Sequence, residues 1–337
     1  MWELINQTPY AAERGFVRDH DGGEVWIVLV KATFDLSPDG NLQPAAEQPP
    51  VDLEPVYRDS PAGLYLRCDT ALIPTKPGTE VLIEGSACAP RGRSVSAMEV
   101  GFQIGPLRKR LHVIGNRRWL HGFSGPVLSK PEPFARMSIC YERALGGLAG
   151  HDPKIAPVPN PYNPVGTGHA LRKKQLPGIA APNIEQSGAT ASDWARQGPP
   201  AGFGPVARHW TPRRELAGTF DAAWSRTRQP LLPEDFDERF YFSAPTDQRF
   251  KGFLRGGEPM TLHGLSPDGD IRFPIPSLPL HCRTSLAGQT QPHTGELHGI
   301  LVDTDAMRVA CLWHSRLRCH GRDHLIERTH LTLADSS

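Results

Sequence analysis

The sequence predicts a mainly β protein: two β-rich portions, sandwich- or barrel-like, joined by a long Pro/Gly-rich loop region, with little helix. Three observations predict it. The 337 residues include 34 prolines and 33 glycines, and proline, at about twice its usual share, removes a backbone donor and breaks helices and central strands. Apolar residues recur in short runs and at alternate positions, the period of a pleated strand. Between residues 147 and 205 the chain turns rich in Gly, Pro, Ala and Asn and poor in bulky aliphatics, as ordered or partly ordered loops do. The predicted division is 1–146, 147–205 and 206–337, with the two β-rich portions free to pack as one continuous domain.

The element order starts with EVWIVLVKATFDL, Glu24 to Leu36. Val25 to Val30 is continuously apolar, as in a strand covered on both faces. Ala32, Phe34 and Leu36 then alternate with polar residues, as at a half-exposed end. LSPDG (Leu36 to Gly40) closes it as a turn, with proline, aspartate and glycine at suitable positions. The same five residues recur at Leu265 to Gly269, a good hairpin turn used twice. Further strands are expected at 63–68, 80–89, 96–104, 107–120 (a hairpin around Gly115-Asn116), 134–141, 260–265, 269–273, 296–304, 308–317 and 324–333. DAAWSRTR, Asp221 to Arg228, reads as one short helix capped by Asp221 or Thr219.

Composition bounds the function. Apolar content is 39%, charged content 22% and formal net charge +1, a balance that predicts no general attraction to nucleic acid or membranes. MWELINQTPYAAERGF has neither a basic n-region nor an apolar core, so it does not read as a secretory signal. No apolar run approaches the roughly 18 residues that span a bilayer. With six scattered cysteines, the expectation is reduced thiols in a cytoplasmic protein.

Several stretches invite a chemical reading and each has a plainer one. CLWHSRLRCH offers Cys311, His314, Cys319 and His320, residue types that zinc takes. It lacks a Cys-x2-Cys knuckle, and strand alternation places Cys311 and His314 on opposite faces. NPVGTGH (Asn163 to His169) does not match the phosphate-loop spacing. LRKRLHVIGNRRW (Leu107 to Trp119) is the strongest basic cluster, but its cations interleave with apolar residues as on a solvated strand face. No Gly-x-Ser-x-Gly elbow is present. No catalytic, cofactor-binding or metal-ligating residue is therefore expected.

The densest stretch is GTFDAAWSRTRQPLLPEDFDERFYFSAPTDQ, Gly218 to Gln248. Its carboxylates could serve a glycoside hydrolase, which needs two flanking the scissile bond. Its aromatics read better as anchors of a fixed loop, with the carboxylates pairing neighbouring arginines.

Nine motifs occur in order along nearly the whole chain: EVWIVLVKATFD, VIGNRRW, YERALGG, NPVGTG, PNIE, GFGPVARHWTPR, AGTFDAAW, PLLPEDFDERFYFSAPTDQ and LRGGEPMTLHGL. Together they resemble a bacterial family of unknown-function domains associated with type VI secretion as accessory proteins. The chain departs from the family pattern at Asn116, where an acidic residue is usual, and at Leu145, where phenylalanine is usual. The resemblance implies a non-catalytic adaptor or chaperone, which helps load an effector or a PAAR-type tip protein onto the valine-glycine-repeat (VgrG) spike. It implies cytoplasmic action, because loading precedes firing. The implied partners are those proteins, with no nucleic acid and no membrane insertion. Aromatic and arginine anchors dominate interface energies, so Phe203 to Gln248 is expected at or beneath the partner surface, with Trp210, Arg213, Trp224, Asp235 and Gln248 as partner-binding candidates. The alternative is a hydrolase or carbohydrate-binding protein using residues 218–248.

Overall fold

A computed structural model describes residues 2–58, 65–149, 156–188 and 200–334 and shows a mainly β chain. The Glu24–Leu36 strand is central to it. Its residues alternate between two apolar environments. Trp26, Val28, Val30, Ala32 and Phe34 enter the main core with Cys311, Trp313 and Leu331. Val25, Ile27 and Leu29 pack on the opposite face against Val51 and Ala71. Burial on both faces is what the uninterrupted apolar run predicts. Each large side chain so buried contributes roughly 1.5–3 kcal/mol over exposure.

Seven strands form one path: Glu3–Asn6, Ile326–Leu333, Leu280–Leu286, Gln289–Asp303, Arg308–Arg318, Glu24–Leu36 and Ala11–Arg18. Leu42–Pro44 extends Glu24–Leu36, and Glu80–Glu84 adds in parallel to Gln289–Asp303. The first and last strands of the path are sequence neighbours, and they come together. Arg14 Nε donates to Trp2 O at 2.8 Å, Asn6 Nδ2 donates to Tyr10 O at 2.8 Å, and Trp2 stacks on Phe16. The sheet thereby curls into a nearly closed barrel, which shields most of its edge hydrogen-bonding groups.

A second sheet orders Ile184–Gln186, Leu107–Ile114, Ala97–Ile104, Pro259–His263 and Ile271–Pro274. Strands from both predicted β-rich portions therefore share each sheet. Both LSPDG segments are hairpin turns, one in each sheet, with Leu36 facing Leu42 and Leu262 facing Ile271. The two hairpins also touch: a Cβ at Gly40 would fall 1.9 Å from Arg272 O.

The turns around the basic cluster differ from expectation. Leu107–Ile114 is one strand, joined to Ala97–Ile104 across Gly105-Pro106. Gly115 is not a turn residue; a Cβ there would lie 1.8 Å from Glu132 O, so the residue permits close backbone approach. The hairpin falls later, between Trp119–Gly122 and Gly125–Leu128. Gly85 likewise divides the expected 80–89 strand into Glu80–Glu84 and Ser86–Cys88. The expected 134–141 strand is confined to Arg136–Ser138. The one α-helix among the described residues, Ala222–Thr227, is capped by Asp221, which accepts from Trp224 N at 2.8 Å. Within the proline-rich middle, Asn163 Nδ2 donates to Tyr141 O and Leu145 O and ties its loop to the core. Trp194, in the same middle region, lies outside the described residues.

A candidate partner-binding platform

The stretch from Phe203 to Gln248 forms two layers. The inner layer is bolted to both sheets by buried polar groups. Arg213 is 1% exposed. Its guanidinium donates to Phe240 O at 2.9 Å and Val206 O at 2.8 Å, pairs with Asp69, and lies over the Phe240 ring. Arg208 Nε also reaches Asp69, at 3.2 Å. Burial raises the Asp69 pKa, but the two arginines outweigh it and hold the carboxyl below its ordinary value. The planar fork of arginine suits this triple role, which an ammonium cannot fill.

Glu80 is the second bolt. Its carboxylate accepts from Ser243 N at 2.7 Å, Ser243 Oγ at 3.1 Å and Ala244 N at 2.8 Å, and pairs with buried Lys76. Burial opposes ionisation, yet Lys76 and the backbone donors bring the net pKa below the usual carboxylate value. Gln248 is the third. Its Nε2 donates to Val81 O and Phe203 O at 2.6 and 2.9 Å, and its Oε1 accepts from Lys109 Nζ at 2.7 Å. Lys109 Nζ also donates to Gly202 O and Asp247. Burial lowers the Lys109 pKa, with Asp247 opposing. Trp210 completes the layer, buried edge-on against Tyr141, whose hydroxyl donates to Gly204 O at 2.7 Å.

The outer layer spans residues 218–238. Asp235 is exposed and accepts from Thr219 N at 2.9 Å and Thr219 Oγ1 at 2.7 Å, which depresses its pKa. Trp224 is half-buried and donates from Nε1 to Leu231 O at 2.9 Å. Phe220 meets it edge-on at 4.8 Å and remains 56% exposed. Arg228 ties this layer to Asp21 at 2.8 Å and to His20 O at 3.2 Å.

The five candidates thus separate. Trp210, Arg213 and Gln248 hold the inner layer and are buried, so they can act only by support; Trp224 and Asp235 belong to the outer one. Sequence reasoning passed over Phe220, although an aromatic between turn residues is a usable signal. It also passed over Glu80 and Lys109, charged residues set in otherwise apolar strands. Four of the six carboxylates of the stretch have partners: Asp221 caps the helix, Asp235 holds Thr219, Asp237 pairs with Arg239 and Asp247 with Lys109. His314, from the C-terminal cluster, bonds Ile73 O through Nε2 and stacks on His298. Among the described residues no three His, Cys, Asp or Glu side chains are placed to hold a metal ion, and all six cysteines are free thiols.

A family model described as "Uncharacterized protein conserved in bacteria (DUF2169)" matches residues 21–314. No curated protein and no solved structure matches the chain.

Proposed function

The chain belongs to this bacterial family, and we propose that it serves as a non-catalytic type VI secretion accessory protein. In this reading it is a cytoplasmic adaptor or chaperone that helps load an effector or PAAR-type tip protein onto the VgrG spike. The ordered run of motifs along the chain supports the reading. The observation that carries it is the two-layer platform: buried ion pairs immobilise the inner layer, and the outer layer offers Phe220, Trp224 and Asp235 on a prearranged frame. Prearrangement lowers the entropy cost of binding. The engagement of Asp221, Asp235, Asp237 and Asp247 weighs against the hydrolase reading.

Co-expression with the neighbouring spike, tip and effector proteins, followed by affinity capture and size exclusion, tests the proposal. A stable complex with effector or tip is expected, weakened by Phe220→Asp. No association with any folded neighbour would overturn it.

A further inference from the structure

The fold sorts charge in a way that the net value of +1 conceals. No Asp or Glu occurs between Glu99 and Glu132, nor between Asp152 and Glu185. These two acid-free segments meet at the Trp119–Gly122/Gly125–Leu128 hairpin. Trp119 and Leu128 face inward onto Ala170, Leu176 and Ala181. The other face turns outward. Leu120 and Val127 are cross-strand partners, 42% and 48% exposed, and Phe123 stands fully exposed in the connecting turn.

Cations lie beside this hairpin. Arg118 and Lys130 flank the hairpin, and Arg172, Lys173 and Lys174 lie on the segment packed beside it. A Cβ at Gly125 would sit 3.6 Å from Lys173 Nζ, which places that ammonium beside the hairpin turn. All five are exposed, and among the described residues none takes part in an ion pair. Two of the acids that bound these segments are engaged: Glu185 pairs with Arg117, and Glu132 accepts from Asn116.

We propose that this hairpin docks peripherally on an anionic phospholipid surface, with Phe123 entering the headgroup region and the flanking cations neutralising phosphates. Charge complementarity selects an anionic partner. Two features favour lipid over a protein. Three of the five cations are lysines, which are depleted at protein interfaces but serve diffuse attraction to anionic bilayers. The apolar element is also a projecting turn with a single aromatic at its end, a shape that a yielding interface accepts without a preformed pocket. Docking of this kind adds a lipid partner that the chain-wide charge balance argues against, because an average cannot report segregation.

Vesicle flotation tests it. Full-length protein should float with vesicles of phosphatidylglycerol and phosphatidylcholine, not with phosphatidylcholine alone, and less at high salt. Phe123→Ser should lower the partition about tenfold, and the pair Lys173→Glu and Lys174→Glu at least about tenfold. Unchanged thermal unfolding would show that these exposed substitutions spare the fold. Absence of flotation with the anionic vesicles, or equal flotation of the variants, would overturn the proposal. So would a pattern in which the variants lose capture of a neighbouring spike, tip or effector protein while the parent ignores vesicles, which would assign the hairpin to protein docking.

Discussion

His293 Nδ1 and Ser315 Oγ lie 2.6 Å apart in a hydrogen-bond chain with one direction. Trp26 Nε1 can only donate, and it donates to Thr329 Oγ1 at 2.9 Å. Thr329 then donates to Thr284, and Thr284 to His293 Nε2, at 2.7 and 2.8 Å. His293 Nδ1–H donates to Ser315, which donates to Thr294 O at 2.8 Å. A proton added at Nε2 would reverse Thr284 and take from the Thr329 hydroxyl hydrogen its acceptor. Burial pushes the His293 pKa down to about 4. His314 is likewise pushed to about 4 by burial, and His298, stacked on it at 4.4 Å with neither ring nitrogen partnered, also falls.

Acid should therefore destabilise the fold. The unfolded histidines take up protons near pH 6.5, and folded His293 and His314 only near pH 4. Stability is full above about pH 6.5, declines as pH falls between these values, and has lost the whole term below about pH 4. Each of His293 and His314 accounts for roughly 3 kcal/mol, at 1.36 kcal/mol per pH unit. Urea midpoints at pH 7.5, 5.5 and 4.5 should fall in that order. His298→Phe should reduce the drop and leave the neutral-pH midpoint no lower.

The Lys76–Glu80 pair makes a second prediction. Glu80→Ala strands a buried ammonium and frees two backbone donors, and should cost about 3–5 kcal/mol. Adding Lys76→Met should restore part of that loss. An additive double variant in denaturant unfolding would show that the pair is not coupled.

Inner and outer layers should respond differently to substitution. Arg213→Ala leaves Asp69 with Arg208 alone and two carbonyls unmet, and should cost about 3–5 kcal/mol. Arg213→Lys should recover little, because an ammonium cannot span the three acceptors. Phe220→Asp should leave the melting temperature within about 1–2 °C, a surface-size effect, while lowering partner capture. Equal loss of stability in both would deny the two-layer division.

The repeated turn gives a controlled comparison. Gly40 and Gly269 both have positive φ, at 87° and 112°. A Cβ at Gly269 meets nothing within 4 Å, whereas one at Gly40 runs into Arg272 O. Gly269→Ala should cost about 1–2 kcal/mol of backbone strain. Gly40→Ala should cost more, because the two hairpins must also part. Chemical denaturation of the two variants side by side checks the order.

Much of the strand order was legible because apolar alternation survives in the letters. Glu24–Leu36, both LSPDG hairpins and the Asp221-capped helix follow from local chemistry. Ala11–Arg18 and the polar first half of Gln289–Asp303 were not legible; AAERGFVR and QTQPHTG carry no clear alternation, and partner strands supply their pairing. For the candidate platform, the letters do not tell which side chains face outward. Trp210, Arg213 and Gln248 look like interface anchors by residue type, yet their partners Tyr141, Asp69 and Lys109 draw them inward.

The sequence by itself determined the mainly β class, the two LSPDG turns, the short helix at 221–228 and family membership, because each depends on short-range backbone preference or on the order of motifs. Only the tertiary structure decided that strands of both β-rich portions interleave in each sheet and that Glu80 and Arg213 anchor the platform. It also decided that cations without an ion pair among the described residues lie beside the exposed hairpin that carries Phe123. Those outcomes depend on which distant groups meet, and burial and charge pairing act through space rather than along the chain.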